Sequence, residues 1–100
     1  MDFRQHRRYE VNVPVAYSGD EIGGKGAVTN LSIGGCAVLG DCGVRVGSFV
    51  ELILHLPPPH ADLAVPLAVV RYCVGTKFGL DFLQMPAQLE TRLRKYLKSL

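Results

Sequence analysis

Hydrophobic and polar residues alternate over much of the chain, and this period of two predicts short strands. The first strand begins near Val11, carries its valines on one face and continues to Tyr17, before a turn at Ser18-Gly19-Asp20. Pro14 has no amide hydrogen to donate to a neighbouring strand. We therefore expect this strand to lie at a sheet edge or beside a bulge.

Five further segments have the character of strands: residues 23–29, 36–39, 49–56, 63–73 and 77–82. The fourth strand stops at Pro57-Pro58-Pro59, which cannot continue a hydrogen-bonded ladder. Pro66 again marks an edge or a bulge in the next strand. Six short strands with closely spaced turns predict an all-β barrel or sandwich, and closure would remove exposed strand edges.

The C-terminal segment has a helical period instead. Pro86 suits the first turn of a helix. The apolar stripe that follows comprises Leu89, Leu93, Tyr96, Leu97 and Leu100. We expect one amphipathic helix over residues 86–100 that covers the barrel or a partner. The whole chain, residues 1–100, is then one domain, with a flexible arginine-rich arm at 1–9 and a barrel at 10–83.

Composition narrows the function classes. Of the chain's 100 residues, 48% are hydrophobic, which is enough to form a folded core. Its formal net charge of +2 gives no general reason to expect binding to a nucleic acid polymer or a membrane surface. Its cysteines, Cys36, Cys42 and Cys73, show no CxxC spacing, which argues against a disulfide framework and a zinc ribbon. We expect a cytoplasmic protein without a signal peptide, membrane span, metal or cofactor.

Two clusters of polar residues are candidates for a ligand-binding site. Arg4 and Arg8 stand four residues apart before the first strand, and arginine forks suit phosphates and the O6/N7 edge of guanine. A solvated basic tail is the ordinary alternative for such a pattern. Asn30, Ser32 and Gly35 follow the second strand.

The Asn-Ser-Gly segment also has an ordinary explanation, a turn in which Gly34 and Gly35 supply positive φ angles. If Leu31 points inward, Asn30 and Ser32 project to the same outward face. Their polar groups, beside the bare backbone of Gly35, then form a surface suited to the polar edge of a base.

RxxxR followed by NxSxxG about twenty residues later resembles the PilZ domain family. The similarity extends to Val13-Pro14-Val15 after the arm, to Gly79-Leu80-Asp81-Phe82 in the last strand and to the terminal helix. It implies a six-stranded antiparallel β-barrel with a C-terminal amphipathic α-helix, in a bacterial receptor for the second messenger cyclic di-GMP.

The resemblance also implies roles for single residues. Arg4 and Arg8 would grip a guanine edge and the phosphates, Asn30 another guanine edge, and Ser32 would add a hydroxyl contact while Gly35 leaves room for the ligand. Arg7 and Gly34 are candidate additional contacts. Some members of the family bind an intercalated dimer of the ligand, and a basic residue just before the first motif arginine favours that mode. Because this position is Phe3, the resemblance favours one ligand per domain. Ligand binding would order the arm and signal to a downstream protein partner.

Three alternatives remain at this stage. An enzyme would need an activated nucleophile, and Cys36, without a nearby histidine in sequence, fits a barrel core better. A single-stranded nucleic-acid binder would need aromatic platforms among basic residues. The last alternative is a PilZ-like protein-interaction module that does not bind nucleotide.

Overall fold

The computed structural model describes residues 6–20, 22–40 and 43–100. Its strands are β1 (Tyr9–Gly19), β2 (Ile22–Leu31), β3 (Gly35–Gly40), β4 (Phe49–Leu54), β5 (Leu63–Val74) and β6 (Lys77–Gln84), and one helix follows, α1 (Ala87–Lys98). The strands form a closed antiparallel barrel in the order β1-β2-β3-β6-β5-β4. The implied barrel with a C-terminal helix is therefore confirmed.

The alternation in the sequence places the core inside the barrel. Val13 and Val15 of β1, Leu52 and Leu54 of β4, and Phe78 of β6 are all at most 2% exposed. Tyr17 meets Phe78 edge-on, with ring centroids 5.1 Å apart. Burial of these side chains is the main stabilising contribution to the barrel, at roughly 1.5–3 kcal/mol for each large apolar side chain.

Pro14 and Pro66 both lie beside irregular strand pairing and not at a sheet edge. The β1–β2 register shifts between Glu10 and Val13, just before Pro14. The β4–β5 register shifts between Val50 and Leu52, opposite the part of β5 that contains Pro66. A closed barrel has no edge strand, so the bulge alternative is the one that the structure supports.

Helix α1 extends the core. Leu93, Tyr96 and Leu97 are buried among the barrel's apolar side chains. Arg92 donates to the carbonyl oxygens of Ala61 and Asp62 at 2.9 and 2.6 Å, which ties the helix to the loop before β5. No helix of the described ranges is both long and apolar enough to span a membrane.

Some predicted bounds were wrong. Tyr9 belongs to β1 and pairs with Leu31, so the strand begins inside the expected arm. Pro86 precedes the helix as its N-cap instead of occupying its first turn. Leu100 lies beyond the helix end and is 56% exposed, so it is not part of the buried stripe. Strand β4 ends at Leu54, although Leu56 is still buried.

Candidate functional site

The structure brings the two sequence motifs into contact. Arg8, just before β1, donates through Nη1 to Oδ1 of Asn30 near the end of β2, at 2.7 Å and across 22 residues of sequence. Glu10 and Asn30 are cross-strand partners, so the β1–β2 ladder itself carries Arg8 to Asn30. The remaining guanidinium hydrogens of Arg8 and the amide hydrogens of Asn30 can donate to a further acceptor, such as a phosphate or guanine oxygen.

Ser32 does not share the outward face of Asn30, so that expectation was wrong. Its side chain is buried, with 2% exposure. Its hydroxyl accepts from the amides of Gly34 and Gly35 at 3.1 and 3.2 Å, and it lies 3.3 Å from the carbonyl oxygen of Gly35. Because Leu31 and Ser32 are consecutive and both buried, the chain has left the strand alternation here. Ser32 therefore holds the turn between β2 and β3.

Gly35 is required by the barrel. A Cβ at this position would lie 2.3 Å from the carbonyl oxygen of Leu80 on β6, closer than real Cβ contacts allow. At Gly34 the nearest atom would be Cδ2 of the His6 ring, at 3.0 Å. Positive φ angles occur at Gly43, Gly47 and Gly75, so the expected positive φ at Gly34 and Gly35 was wrong. Close backbone approach, and not turn geometry, explains Gly35.

Arg8 and Asn30 stand at one side of a groove of about 610 Å³ on the outer barrel surface. Its lining residues are Arg8, Glu10, Val11, Thr29, Asn30, Cys36, Ala37, Arg71, Tyr72, Lys77, Gly79, Leu80 and Asp81. We call it the outer groove. Its volume falls in the range typical of small-molecule sites, roughly 300–1,000 Å³.

Irregular strand pairing builds this groove. The register shifts between Glu10 and Val13, between Val28 and Asn30, and between Val70 and Tyr72. Each shift adjoins residues that line the groove. Since a bulge re-aims side chains and bends its strand, three such irregularities around one surface account for the concavity there.

Tyr72 and Gly79 form the flat part of the groove. They are cross-strand partners on β5 and β6, and a Cβ at Gly79 would lie 2.1 Å from Cε2 of the Tyr72 ring. The ring therefore lies over the glycine backbone, and Tyr72 is 42% exposed. An aromatic ring held flat at the surface is a platform on which a base can stack.

The charges of the outer groove are mixed. Arg71 on β5 donates through Nε to Oδ2 of Asp81 on β6 at 2.7 Å, and both side chains are partly exposed. Among the described residues, the groove then offers Arg8 and Lys77 as cations outside that pair, with Glu10 as the other carboxylate. A bound dianion would gain from a further cation here.

Cys36 lines the groove as an unreactive thiol. Burial raises the pKa of Cys36 to about 12, and the positive charge of Arg8 lowers it only in part. A thiol with this pKa stays protonated at neutral pH and is a poor nucleophile. The interpretation of Cys36 as a core residue is confirmed by its burial.

The other predicted site residues fall in different places. Arg7 lies over the ring of Tyr9, with its Cζ 5.0 Å from the ring centroid, and does not line the outer groove. Arg4 and Phe3, like Cys42, lie outside the described residues. In the described ranges, no group of three histidine, cysteine or carboxylate side chains is placed to hold a metal ion.

Sequence reasoning missed Arg71, Tyr72 and Asp81 as parts of the same groove. The residues are 41 or more positions from Asn30 in sequence, and only barrel closure through β3 and β6 brings them together. One signal was present in the sequence: Tyr72 lies on the predicted fifth strand, and Gly79 lies on the predicted sixth strand.

Comparisons with known proteins agree with the barrel. The structure is similar to that of the Bacillus subtilis inhibitor of motility MotI/DgrA, with a TM-score of 0.77 and 22% identity, over 99% of this chain. This chain spans about half, 52%, of that protein. It is also similar to the PilZ domain of CeSA from a cellulose-synthesizing bacterium, with a TM-score of 0.74 and 18% identity, over 93% of this chain and 96% of that one. At these identities the likeness shows the fold alone.

No curated protein matches this sequence at a significant level. The family model for the PilZ domain, in contrast, matches residues 2–99, which include both motifs, all six strands and the helix. This chain therefore belongs to the PilZ domain family.

Proposed function

We propose that this chain is a cyclic di-GMP receptor and that the ligand binds in the outer groove, beside Arg8 of the arm and Asn30 of β2. The observation that carries the proposal is the 2.7 Å hydrogen bond from Arg8 to Asn30, which joins RxxxR to NxSxxG at one side of the groove. PilZ domains are receptor and adaptor modules, and cyclic di-GMP is the nucleotide that members of this family bind.

Each part of the site has a proposed role. Arg8, together with Arg4, grips a guanine edge and the phosphates, and Asn30 donates to a guanine oxygen. The exposed ring of Tyr72 stacks on a guanine base. Ser32 and Gly35 are positioning residues, because the first holds the turn and the second lets β3 approach β6. One ligand per domain is expected.

Calorimetric titration with cyclic di-GMP tests the proposal. We expect saturable binding of cyclic di-GMP and much weaker binding of GMP, which offers only one base and one phosphate. Short single-stranded RNA should also bind weakly, and RNA binding stronger than cyclic di-GMP binding would replace the proposal with that of a nucleic-acid binder. If the folded protein does not bind cyclic di-GMP, the alternative that remains is a protein-interaction module that does not bind nucleotide.

Arg8→Ala gives the residue-level test. Loss of a bidentate guanine contact costs roughly 1–3 kcal/mol, or about 5- to 150-fold in affinity, and a lost phosphate contact adds to it. Arg45→Ala is the matched control, since Arg45 is an exposed arginine that does not line the groove. Equal affinity of both variants would exclude the role given to Arg8, and unfolding of Arg8→Ala would make that residue structural.

We also propose that ordering of the arm is the signal to a downstream protein partner. Arg8 is the last residue before β1, so a ligand held by Arg8 and Asn30 restricts the residues that precede it. Hydrogen exchange with and without cyclic di-GMP measures this directly. Protection of amides in residues 3–9 should rise at saturating ligand, and unchanged protection would mean that the arm is not the switch.

A further inference from the structure

We propose that a second, cationic cleft on this domain binds an acidic segment of a partner protein that carries an apolar side chain among its carboxylates. The cleft has a volume of about 270 Å³ and lies between the arm and the end of helix α1. Its lining residues are His6, Arg7, Tyr9, Ile33, Arg94, Leu97 and Lys98. We call it the arm–helix cleft, and it shares none of these residues with the outer groove.

The rim of the arm–helix cleft is cationic. Among the described residues, Arg7 and Lys98 form no ion pair with a carboxylate. Arg94 donates to Glu90 on the same helix, through Nε at 3.2 Å and Nη2 at 3.0 Å, so its charge is partly neutralised. A cation in the last turn of a helix is favourable in itself, which accounts for Lys98 but not for Arg7 on the arm.

The floor of the cleft is apolar. Ile33 and Tyr9 are half-buried, and Leu97 is buried beneath the helix. The Arg7 guanidinium lies over the Tyr9 ring at 5.0 Å, a cation–π arrangement that holds the positive charge above this floor. Cations around an apolar floor are complementary to an apolar side chain flanked by carboxylates.

A protein segment fits this cleft better than a lipid surface does. A basic amphipathic helix binds a membrane through its apolar face. Here Leu93, Tyr96 and Leu97 of that face are buried against the barrel. The apolar residues of the arm–helix cleft line a concave surface, which admits a side chain from a peptide but not a planar bilayer.

The arm links this cleft to the outer groove. Arg8 lines the outer groove, while the two preceding residues, His6 and Arg7, line the arm–helix cleft. Whatever fixes the position of Arg8 therefore restricts His6 and Arg7. We expect cyclic di-GMP to tighten binding of the acidic segment, and the segment to tighten cyclic di-GMP binding by the same factor. This coupling rests on the proposed function, whereas the cleft itself does not.

The test uses the full chain and fluorescein-labelled peptides of sequence DEDXDED, with leucine, phenylalanine or glycine at X. Fluorescence anisotropy should show saturable binding that is stronger for leucine or phenylalanine than for glycine. Arg7→Glu and Lys98→Glu should each weaken binding by about tenfold or more, because each replaces an attractive charge by a repulsive one. Lys95→Glu is the matched control, since Lys95 is exposed on the same helix outside the cleft and should change affinity by less than about threefold.

Several outcomes overturn the proposal. Absence of saturable binding for all three peptides does so, as does an equal loss in Lys95→Glu, which indicates non-specific charge attraction. Binding to phosphatidylserine vesicles that is lost in Arg7→Glu assigns the cleft to a membrane. Self-association in sedimentation experiments that Lys98→Glu abolishes assigns it to a second copy of this chain.

The coupling has its own outcomes, measured by repeating the peptide titrations at saturating cyclic di-GMP. A higher peptide affinity supports the link through the arm, and an unchanged affinity excludes it. Peptide binding by a protein that does not bind cyclic di-GMP would retain the cleft and refute the proposed function. Cyclic di-GMP binding without peptide binding would support the proposed function and refute the role given to the cleft.

Discussion

Replacing Gly35 by alanine should destabilise the barrel at the turn that carries the second motif. The added Cβ would lie 2.3 Å from the carbonyl oxygen of Leu80, whereas real Cβ contacts are essentially never under 3.0 Å. The obstructing atom is backbone, so β3 and β6 must separate by roughly 0.7 Å or more where they pair between Gly35 and Asp81. Such overpacking costs about 1–3 kcal/mol, and each kcal/mol lowers the Tm of a domain of this size by roughly 4–8 °C.

Gly34→Ala is the matched control for this prediction. Its Cβ would meet Cδ2 of the exposed His6 side chain at 3.0 Å, and that side chain can move. Alanine also restricts the unfolded chain, which stabilises by about 0.4–1 kcal/mol where the backbone conformation is compatible. We therefore expect Gly34→Ala to be neutral or slightly stabilising.

Urea denaturation of both variants, with comparison of their m-values, gives the two free energies of unfolding. Equal stability of Gly35→Ala and the unmodified protein would refute the assignment of Gly35 to close strand approach. It would favour the alternative in which this glycine only leaves room for the ligand, and cyclic di-GMP affinity would then fall without loss of stability.

Three further substitutions test other parts of the account. Ser32→Ala should lower the free energy of unfolding by about 1–3 kcal/mol, because the amides of Gly34 and Gly35 lose their acceptor; unchanged stability in urea would contradict the turn-holding role. Tyr72→Ala should weaken cyclic di-GMP binding by about 1–3 kcal/mol in calorimetry, and an equal effect of Phe49→Ala, an exposed aromatic outside the groove, would exclude stacking. Burial raises the pKa of Cys36 from 9.0 to about 12, so its contribution to stability is complete below pH 9 and is lost as the pH rises towards 12. Urea stability measured from pH 8 to 10.5 should therefore fall less steeply in Cys36→Ala than in the unmodified protein, and parallel curves would show that the thiol does not titrate in this way.

Strand positions were predictable because the barrel's inner face imposes a period of two on the sequence. Valines at alternate positions of β1, and Phe78 and Leu80 in β6, follow it directly. Closure of the barrel was not visible in that pattern, since a sandwich buries the same alternate positions. Closure of the barrel was implied by the resemblance to the PilZ family, which rests on the two motifs.

The candidate site was predictable only in part. The proximity of Arg8 and Asn30 followed from two motifs that flank neighbouring strands. The burial of Ser32 could not be read from alternation, because the chain leaves the strand at Leu31 and turns its next side chain inward. Similarly, Arg71 and Tyr72 reach the groove beside the register shift between Val70 and Tyr72, and no proline marks that shift in the sequence.

The central claim is that cyclic di-GMP binds in the outer groove, and an NMR titration of the ¹⁵N-labelled protein tests it most directly. We expect amide shifts that saturate at one equivalent and concentrate at Arg8, Asn30 and Tyr72, with little change at Phe49 on a different face of the barrel. Shifts centred on Phe49, or none at saturating ligand, would contradict the claim.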